Sequence, residues 1–393
     1  MKNTKKNAFY AQSGGVTSVI NASACGVIES ARKNKKFIHK LYAGKNGILG
    51  ALNQELIDTS YESKAAVENL KYTPGGIFGS CRYKLEDFKK NSKDYEKLLK
   101  VFIAHNIGYF FYNGGGDSQD TTNKISQFCS SKGFDIKCIG IPKTVDNDVF
   151  PVSQTLGAWT AAEQGAIFFE NIVNENTTST RQLIIHEVMG RHCGWLTAKT
   201  AKDYRERLKN KVFLPELMVK KSKWDIDAIY IPEQDFNFQN EVDRLRSLMD
   251  EKDNINIFLS EGAGQDAIVR EMEESGKKVP RDAFGHVRLD EINPGQWFAK
   301  QFSSALKAEK TLVQKSGYFA RSAKANAQDL ELIKRSAFFA AEQGLNGKSG
   351  LAGLDEDHNN QLRLIEFERI KGGKPFDISL DWFQTMTKEI GQQ

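Results

Sequence analysis

The sequence predicts an α/β fold with mostly parallel sheets, arranged in two domains. Three observations predict it. Short apolar runs rich in β-favouring residues alternate with stretches of helical periodicity along most of the chain. Nearly every one of these runs ends in a polar, glycine-rich loop. The length of 393 residues suits two domains of about 100–200 residues each.

The predicted elements follow in order from the N terminus. A first strand over 8–11 ends in the loop 12–17, and an amphipathic stretch predicts a helix over about 18–32. The segment 94–106 is predicted to be a helix because apolar residues recur at helical spacing, at Leu98, Leu99, Phe102 and Ile103. Further strands are predicted over 37–43, 107–112, 136–141, 182–185, 228–231 and 255–259. The polar segment 262–296 is expected to be an insertion or a lid.

Composition narrows the function classes. Lys and Arg number 55 against 50 Asp and Glu, and a net charge of +5 over this length gives little support to a nucleic-acid partner, so none is expected. No apolar run approaches the roughly 20 residues needed to cross a bilayer, so no membrane partner is expected. The five cysteines are scattered without a C-x-x-C pair, as is typical of free thiols in a reducing cytosol, and we therefore expect a cytoplasmic protein.

The loops that end the predicted strands carry the chemistry. Ligands of parallel sheets bind at the carboxyl ends of the strands, where these loops lie. Ser13-Gly14-Gly15 allows close backbone approach to an anion at a helix start, although an ordinary tight turn would also explain it. In 113–118, three glycines clear the side chains from one wall of a cleft, which the suitability of Asp117 for a helix start does not explain. Gln119 breaks the G-x-G-x-x-G pattern, and a Walker A loop is missing.

The loop 142–148 is the densest cluster of reactive side chains. It offers one amine, one hydroxyl, two carboxylates and one amide, from Lys143, Thr144, Asp146, Asp148 and Asn147. A carboxylate beside a lysine can deprotonate a hydroxyl while the cation steadies developing phosphoryl charge. A surface turn held by Asn and Asp side chains is the alternative, and it explains Asn147 or Asp148 but not the whole set.

Later strand ends add cations and one more carboxylate. Arg191, in Met189-Gly190-Arg191, can hold a phosphate in a bidentate fork, and Glu261 can accept hydrogen bonds from sugar hydroxyls. Arg82 ends a glycine-rich loop, and Arg321 follows Tyr318 by three residues. Several cations, a candidate base and backbone-exposing glycines are the groups that phosphoryl transfer requires.

These motifs, in this order, resemble the phosphofructokinase family over almost the whole chain. The matching segments are 13–15, 79–82, 114–118, 142–148, 189–191, 260–262 and 317–321. The Pro-x-Thr-x-Asp-Asn-Asp segment followed by Met-Gly-Arg is highly specific. The resemblance implies two Rossmann-like, three-layer α/β/α domains with the active site in the cleft between them. The expected phosphoryl-donor domain covers 1–158 plus about 319–345, and the sugar-phosphate domain covers 159–318 plus about 346–393.

The resemblance also implies the role of each site residue. Asp146 would deprotonate the 1-hydroxyl of fructose 6-phosphate, with Lys143, Asp117 and Arg191 as the other catalytic residues. Gly15 and Arg82 would contact the phosphoryl donor. The residues implied to hold the sugar phosphate are Thr144, Val145, Asp146, Met189, Gly190, Arg191, Glu261, Tyr318 and Arg321.

Two positions indicate the donor within this family. ATP-dependent members carry Gly-Gly-Asp-Gly-Ser in the second glycine-rich loop and glycine after the proline of the later motif, whereas this chain has Gly116-Asp117 and Lys143. The pyrophosphate-dependent branch is similar to this chain at both. The Asp117 carboxylate would repel the α-phosphate of a nucleotide, and Lys143 would supply positive charge to pyrophosphate. We therefore expect inorganic pyrophosphate, with an ATP-dependent kinase and a non-catalytic regulatory subunit as alternatives.

Departures from the family pattern affect the metal and the subunit contact. Gly116 stands where the family has its magnesium-binding aspartate, so Mg²⁺ is expected on Asp117 or Asp148, or mainly on the substrate. Gln182 stands where the family supplies an arginine to a neighbouring subunit, with Arg181 beside it as a substitute. A homodimer or homotetramer is expected by resemblance, and sedoheptulose 7-phosphate stays open as a second acceptor.

Overall fold

The structure is a computed structural model that describes residues 5–17, 19–281, 287–370 and 372–392. The chain forms two units, each drawn from two separate segments. The first unit comprises Met1–Thr160 and Arg321–Lys374, and the second comprises Ala161–Ala320 and Pro375–Gln393. The mixed α/β class predicted from the sequence is confirmed.

The bounds of the elements are as follows. The strands are β1 (Lys6–Gln12), β2 (Ile38–Gly44), β3 (Leu56–Asp58), β4 (Ile107–Gly114), β5 (Lys137–Pro142), β6 (Gln182–Val188), β7 (Ala228–Tyr230), β8 (Asn254–Ser260), β9 (Lys310–Lys315), β10 (Gly350–Asp355) and β11 (Gln361–Ile365). The helices are α1 (Ile20–Lys33), α2 (Ile48–Leu52), α3 (Lys64–Asn69), α4 (Lys93–Ala104), α5 (Gly116–Ser131), α6 (Ala158–Ile172), α7 (Trp195–Lys209), α8 (Lys221–Trp224), α9 (Phe238–Lys252), α10 (Gln265–Glu274), α11 (Leu289–Ile292), α12 (Pro294–Leu306), α13 (Gly317–Arg321), α14 (Ala327–Leu345) and α15 (Asp381–Glu389).

The first unit is built on a seven-stranded sheet in the order β11-β10-β5-β4-β1-β2-β3. Its inner strands are parallel, and β3 and β11 pair antiparallel at the two edges. Both faces of the sheet are covered by apolar clusters, which explains why β1 and β4 read as nearly continuous apolar runs. On one face α1 packs closely against α14: a Cβ on Gly26 would lie 2.7 Å from that of Ala337.

The second unit is built on a parallel four-stranded sheet in the order β7-β8-β6-β9. It also has an apolar cluster on each face, one including Phe169, Tyr204 and Phe258 and the other including Phe298 and Phe302. In both units the strands run parallel into loops at their carboxyl ends. These loops carry the residues on which the functional expectations depend.

The structure corrects one expectation about the elements and adds detail to two others. Residues 346–374 lie in the first unit, not with the sugar-phosphate domain, because β10 pairs in parallel with β5 and so extends the first sheet. The interpretation of 262–296 as an insertion or a lid stays a prediction; in its described parts the chain is largely helical, forming α10, α11 and the start of α12, with Ile268, Val287 and Leu289 in an apolar cluster of their own. The helix predicted over 94–106 is present as α4, but Ile103 faces outward and is 58% exposed.

Candidate active site

The loop after β1 is held in place by the segment that carries Arg82. The backbone N–H of Gly14 donates to the carbonyl of Cys81 at 3.0 Å, and the Ser80 hydroxyl donates to the carbonyl of Gly14 at 2.7 Å. Gly14 has a φ of +83°, a conformation that favours glycine. These bonds bring Arg82, an exposed side chain, to the same strand end as Gly15.

Gly15 lies directly under the guanidinium group of Arg321. A Cβ on Gly15 would lie 1.5 Å from one terminal nitrogen of Arg321, so no larger residue fits there without moving the arginine. Arg321 is held by its Nε, which donates to the carbonyl of Val16 at 2.8 Å. The structure thus places Arg321 beside the predicted donor-binding residues, and its implied role at the sugar phosphate stays a prediction.

Lys143 is buried beside the same loop. Its ammonium group donates to the carbonyl of Gly15 at 3.1 Å, and the residue is only 4% exposed. Burial, followed by the charges of Arg321 and Arg82, lowers the pKa of Lys143 to about 7, and the nearby Asp146 carboxylate opposes this shift. The first unit therefore concentrates positive charge around Gly15, in a place where an anion would relieve the repulsion.

The loop after β5 is held in part by the side chain of Asn147. Asn147 adopts a left-handed φ of +57°, and its side-chain oxygen accepts from the backbone N–H of Thr155 at 2.7 Å. The side-chain amide of Asn147 donates to the carbonyl of Ser153 at 3.0 Å. The turn explanation is therefore correct for Asn147, and it leaves Asp146 half-buried at the strand end.

The remaining side chains of this loop differ in what they can offer a ligand. The Thr144 hydroxyl accepts from the backbone N–H of Asp146 at 3.2 Å and is half-buried. The Val145 side chain is buried at 5% exposure, so contact with a substrate would have to be made by its backbone. Asp148 is half-buried.

The glycine triplet after β4 contains two glycines that the protein itself does not require. At Gly114 a Cβ would lie 2.2 Å from the Ser118 hydroxyl, so this glycine is needed for packing. At Gly115 and Gly116 the nearest atom to a Cβ would be 3.9 Å away, and neither has a positive φ. This pattern fits the prediction that the triplet leaves room for a ligand.

Asp117 projects from the first turn of α5. Its side chain is 84% exposed, and its carboxylate lies 3.7 Å from the ammonium group of Lys84. A carboxylate in the first turn of a helix is favoured by the helix dipole. Asp117 therefore presents negative charge to solvent at the carboxyl end of β4.

In the second unit, the loops after β6 and β8 pack tightly against each other. Gly190 has a φ of +133°, and a Cβ there would lie 2.5 Å from the Cys193 carbonyl oxygen. The Ser260 hydroxyl donates to the Gly190 carbonyl at 2.6 Å. A Cβ on Gly262 would lie 1.9 Å from the carbonyl oxygen of Arg191. The Met-Gly-Arg and Ser-Glu-Gly motifs therefore pack together as one structure at the ends of β6 and β8.

Glu261 is the carboxylate that this pair of loops provides, and it is largely withdrawn from water. Burial raises its pKa, and the negative charge of Glu187 adds to the shift, whereas Arg191, Lys315 and the backbone N–H of Gly190 oppose it. That N–H lies 3.4 Å from the carboxylate. A carboxylate held in this way is suited to accept hydrogen bonds from sugar hydroxyls.

The remaining candidate cations of this unit make contacts within it, whereas the Tyr318 side chain is largely exposed. Arg191 donates from Nη1 to the Val287 carbonyl at 2.8 Å, and Tyr318 is 82% exposed. Lys315 forms a 2.9 Å ion pair with the buried Glu187. Arg181 pairs with Asp250 at 2.6 Å and also donates to two backbone carbonyls, so its side chain is engaged within its own unit.

Glu187 is a residue that the sequence expectations missed. It is 6% exposed, receives the backbone N–H of Gly295 at 2.8 Å, and holds Lys315. A Cβ on Gly295 would lie 2.3 Å from the Glu187 carboxylate. The signal was a carboxylate just after the strand predicted over 182–185, two positions before Met189.

The carboxylates expected to hold Mg²⁺ do not form a protein-only metal site. Among the described residues, no group of three or more His, Cys, Asp or Glu side chains is arranged to hold a metal ion. Mg²⁺ prefers six oxygen ligands and in phosphoryl-transfer sites uses one or two carboxylates, with substrate phosphates and waters supplying the rest. Asp117 and Asp148 fit only a site in which substrate phosphates and waters supply most of the ligands.

Comparison with known proteins establishes the family. The phosphofructokinase family model matches residues 7–343.

The chain belongs to the phosphofructokinase family.

Individual members of the family are similar over nearly the whole chain. The chain is 43% identical to the pyrophosphate–fructose 6-phosphate 1-phosphotransferase of Methylomonas methanica over 399 aligned residues, covering 99% of this chain and 97% of that protein. The protein of the same name from Mastigamoeba balamuthi is 41% identical, with 98% and 96% covered. The crystal structure of pyrophosphate-dependent phosphofructokinase from Marinobacter aquaeolei matches with a TM-score of 0.75 at 35% identity, covering 99% of this chain and 92% of that one.

Two further observations bear on the expectations for this phosphofructokinase chain. All five cysteines are free thiols, and Cys81 alone among them is more than marginally exposed. None of the helices in the described residues has the length and apolar character needed to cross a membrane.

Proposed function

We propose that the chain catalyses reversible phosphoryl transfer from inorganic pyrophosphate to the 1-hydroxyl of fructose 6-phosphate, giving fructose 1,6-bisphosphate and phosphate. The observation that carries the choice of donor is the buried Lys143 beside Gly15, with Arg82 and Arg321 around it and Asp117 at the next strand end. The relatives named above are pyrophosphate-dependent and align over nearly the full chain.

On the donor side, Gly15 contacts the pyrophosphate and leaves space for the Arg321 guanidinium beside it, and Arg82 neutralises part of the donor's charge. Lys143 supplies a cation that becomes more effective in a buried site, because a charge interacts more strongly where water is excluded. An anion at this point also offsets the mutual repulsion of Lys143, Arg82 and Arg321. Binding of pyrophosphate and protonation of Lys143 therefore favour each other.

On the acceptor side, Asp146 takes the proton of the 1-hydroxyl. The resulting oxygen attacks the nearer phosphorus of pyrophosphate, the bridging P–O bond breaks, and phosphate leaves with the electron pair. Arg191 stabilises the charge on the transferred group. The other residues assigned to binding the sugar phosphate are Thr144, the Val145 backbone, Met189, Gly190, Glu261, Tyr318 and Arg321.

Mg²⁺ enters this proposal as part of the donor, as magnesium pyrophosphate. Most of its ligands are then phosphate oxygens and waters, and Asp117 or Asp148 supplies the remaining carboxylate. The ion would neutralise part of the negative charge of the donor. A cytoplasmic location and a homodimeric or homotetrameric assembly complete the proposal.

An ATP-dependent kinase on the same fold is the main alternative. It is tested by steady-state kinetics with pyrophosphate and ATP in parallel, in both reaction directions. Turnover with pyrophosphate and little with ATP is expected. Activity with ATP alone would overturn the choice of donor.

Asp117 provides the sharper test of donor choice. Replacing Asp117 by Asn removes a negative charge, and Asp120→Asn, on the same helix and also exposed, is the matched control. Two unit charges about 4 Å apart interact by roughly 1–4 kcal/mol at a protein surface, so Asp117→Asn should improve kcat/KM with ATP by at least about fivefold. An equal effect of both substitutions would contradict this role for Asp117.

The third possibility, a non-catalytic regulatory subunit, is tested at Asp146. Asp146→Asn keeps the size of the side chain and removes the base, so turnover should fall by about 10²–10⁴-fold while fructose 6-phosphate still binds. Binding without turnover in the wild-type chain would favour the regulatory subunit. The same assays run with sedoheptulose 7-phosphate decide whether it is a second acceptor.

A further inference from the structure

The segment that carries Arg82 is held by side chains rather than by regular structure. The described segment 73–82 forms no helix or strand of its own, and it meets the carboxyl end of β1 through a bridge between Ser13 and Cys81. Such a segment keeps one conformation only where other groups satisfy its backbone. Two buried amide side chains, those of Gln12 and Asn21, bond to its backbone. The position of Arg82 therefore depends on residues outside the segment.

Asn21, near the start of α1, fixes the first half of the segment. Its side-chain oxygen accepts from the backbone N–H of Ile77 at 2.7 Å, and its amide donates to the carbonyl of Thr73 at 2.8 Å. Asn21 is 2% exposed, so both bonds are made away from water. One side chain thus joins two points of the segment that are four residues apart.

Gln12, the last residue of β1, fixes the second half. Its amide donates to the carbonyl of Gly79 at 2.7 Å, and the residue is fully buried. Gly79 comes three residues before Arg82, and between them the Ser80 hydroxyl donates to the carbonyl of Gly14. Gln12 therefore anchors the part of the segment that leads directly to Arg82.

The side chain of Gln12 is itself oriented by two buried polar groups. Tyr10 lies two residues before Gln12 on β1, so both side chains point to the same face of the sheet, and Asn113 of β4 is in register with Gln12. The Tyr10 hydroxyl donates to Oε1 of Gln12 at 3.4 Å and accepts from the Asn113 amide at 3.0 Å. Burial raises the pKa of Tyr10, so the hydroxyl keeps the proton that it donates. Because the oxygen of Gln12 is engaged in this way, its amide NH₂ group is turned towards Gly79.

We propose that Gln12 is a positioning residue for the phosphoryl donor, which acts on Arg82 through the main chain of 79–82, and that Tyr10 and Asn113 orient it. Asn113 directly precedes the glycine triplet, so the same line of hydrogen bonds joins that loop to the segment of Arg82. This role rests on the proposed function, in which Arg82 neutralises charge on pyrophosphate.

The proposal is tested by steady-state kinetics of Gln12→Met, which keeps the length of the side chain and removes both hydrogen-bonding groups. KM for pyrophosphate should rise at least about fivefold, the loss of one buried hydrogen bond, with kcat and KM for fructose 6-phosphate nearly unchanged. Tyr10→Phe removes a single hydroxyl and should give a smaller rise in the same direction, which keeps the test available if Gln12→Met does not fold. Tyr204→Phe is the matched control: it removes a buried hydroxyl that donates to the Trp224 carbonyl in the second unit, and it should leave KM unchanged.

Two further measurements separate positioning from a general loss of stability. In a double-mutant cycle with Arg82→Ala, Gln12→Met should add little to the rise in KM that Arg82→Ala causes alone. The thiol of Cys81, next to Arg82, gives a readout that does not depend on turnover. Its alkylation by iodoacetamide, located by mass spectrometry, should be at least about fivefold faster in Gln12→Met than in the wild-type chain, because the segment is held less firmly.

Several results would overturn the proposal. Full additivity with Arg82→Ala would show that Gln12 acts elsewhere, and an unchanged rate of Cys81 alkylation would show that Gln12 does not hold the segment. An equal rise in KM in Tyr204→Phe would indicate a general loss of stability. Arg82→Ala without effect on KM for pyrophosphate would remove the proposed donor role of Arg82 and this inference with it. An effect of Arg82→Ala with none of Gln12→Met would remove this inference alone.

Discussion

The depressed pKa of Lys143 predicts how the affinity for pyrophosphate depends on pH. In the free chain, burial and the charges of Arg321 and Arg82 lower this pKa to about 7. Pyrophosphate binds the ammonium form of Lys143. Raising the pH above 7 removes that form before the donor arrives, so KM for pyrophosphate should rise and kcat at saturation should change much less.

The size of the effect follows from the pKa. If only the protonated lysine binds the donor, KM is multiplied by about 1.1 at pH 6, about 2 at pH 7 and about 11 at pH 8, relative to its low-pH limit. An unperturbed lysine, with a pKa of 10.5, would leave KM constant over this range. A rise of about tenfold between pH 6 and pH 8 is therefore the expected result.

The assay must separate Lys143 from the ionisation of pyrophosphate itself. Lys143→Arg carries a charge at every accessible pH and serves as the matched control, so the ratio of wild-type to variant KM isolates the lysine. Binding calorimetry in two buffers of different ionisation enthalpy gives an independent measure. Wild-type protein should take up about half a proton more than the variant at pH 7 and about one more at pH 8.

Parallel pH profiles in the two proteins would refute the reasoning. The same conclusion would follow from equal proton uptake, because a lysine that is already charged has no proton to gain. Either result would mean that Lys143 is hydrated in solution and that the arginines do not act on it.

The remaining predictions concern stability and the glycines of the donor loops. Lys143→Met should raise the free energy of unfolding at pH 7 by about 3–5 kcal/mol, because the folded wild-type chain binds fewer protons than the unfolded chain between pH 7 and 10.5. The gain in stability should shrink as the pH approaches 10.5. Denaturant titration at each pH measures the difference between variant and wild type. Gly15→Ala should displace Arg321 and raise KM for pyrophosphate at least about tenfold with the fold intact by circular dichroism; unchanged kinetics would mean that Arg321 serves no ligand. Gly114→Ala should lower the melting temperature, whereas Gly115→Ala should leave it unchanged and weaken pyrophosphate binding; equal melting temperatures would contradict the packing role of Gly114.

Many of the strands and helices could be predicted from patterns of neighbouring residues in the sequence. Strand runs ending in glycine-rich loops are local features, and parallel strands buried on both faces give continuous apolar runs such as 107–112. The return of 350–365 to the first sheet was not visible in the same way. Within this segment β10 pairs with β5, and about half of the chain separates the two strands in sequence. Pairing over that distance leaves no local signal in the sequence.

The sequence predicted which kinds of side chain form the site, but it did not predict how buried they are or which charges surround them. Residue types and spacing indicated Lys143, Asp146 and Arg191, but the burial of Lys143 depends on how Gly15 and Arg321 pack around it. Glu187 is a comparable case, since its importance comes from its contacts with Lys315 and Gly295. Electrostatic environment is a property of the folded arrangement, so a sequence predicts which groups meet more readily than how strongly they interact.

The place of β10 beside β5 also affects how the protein is made on the ribosome. The edge of β5 remains open until residues 143–349 have been synthesised, which takes about 10–40 s at common elongation rates. During this time the apolar strand Lys137–Pro142 presents unpaired backbone groups to other nascent chains. The growing chain is therefore exposed to misassociation late in its synthesis, when most of the first unit has already emerged, and C-terminal truncations that remove β10 should aggregate even though they retain the residues of the donor site.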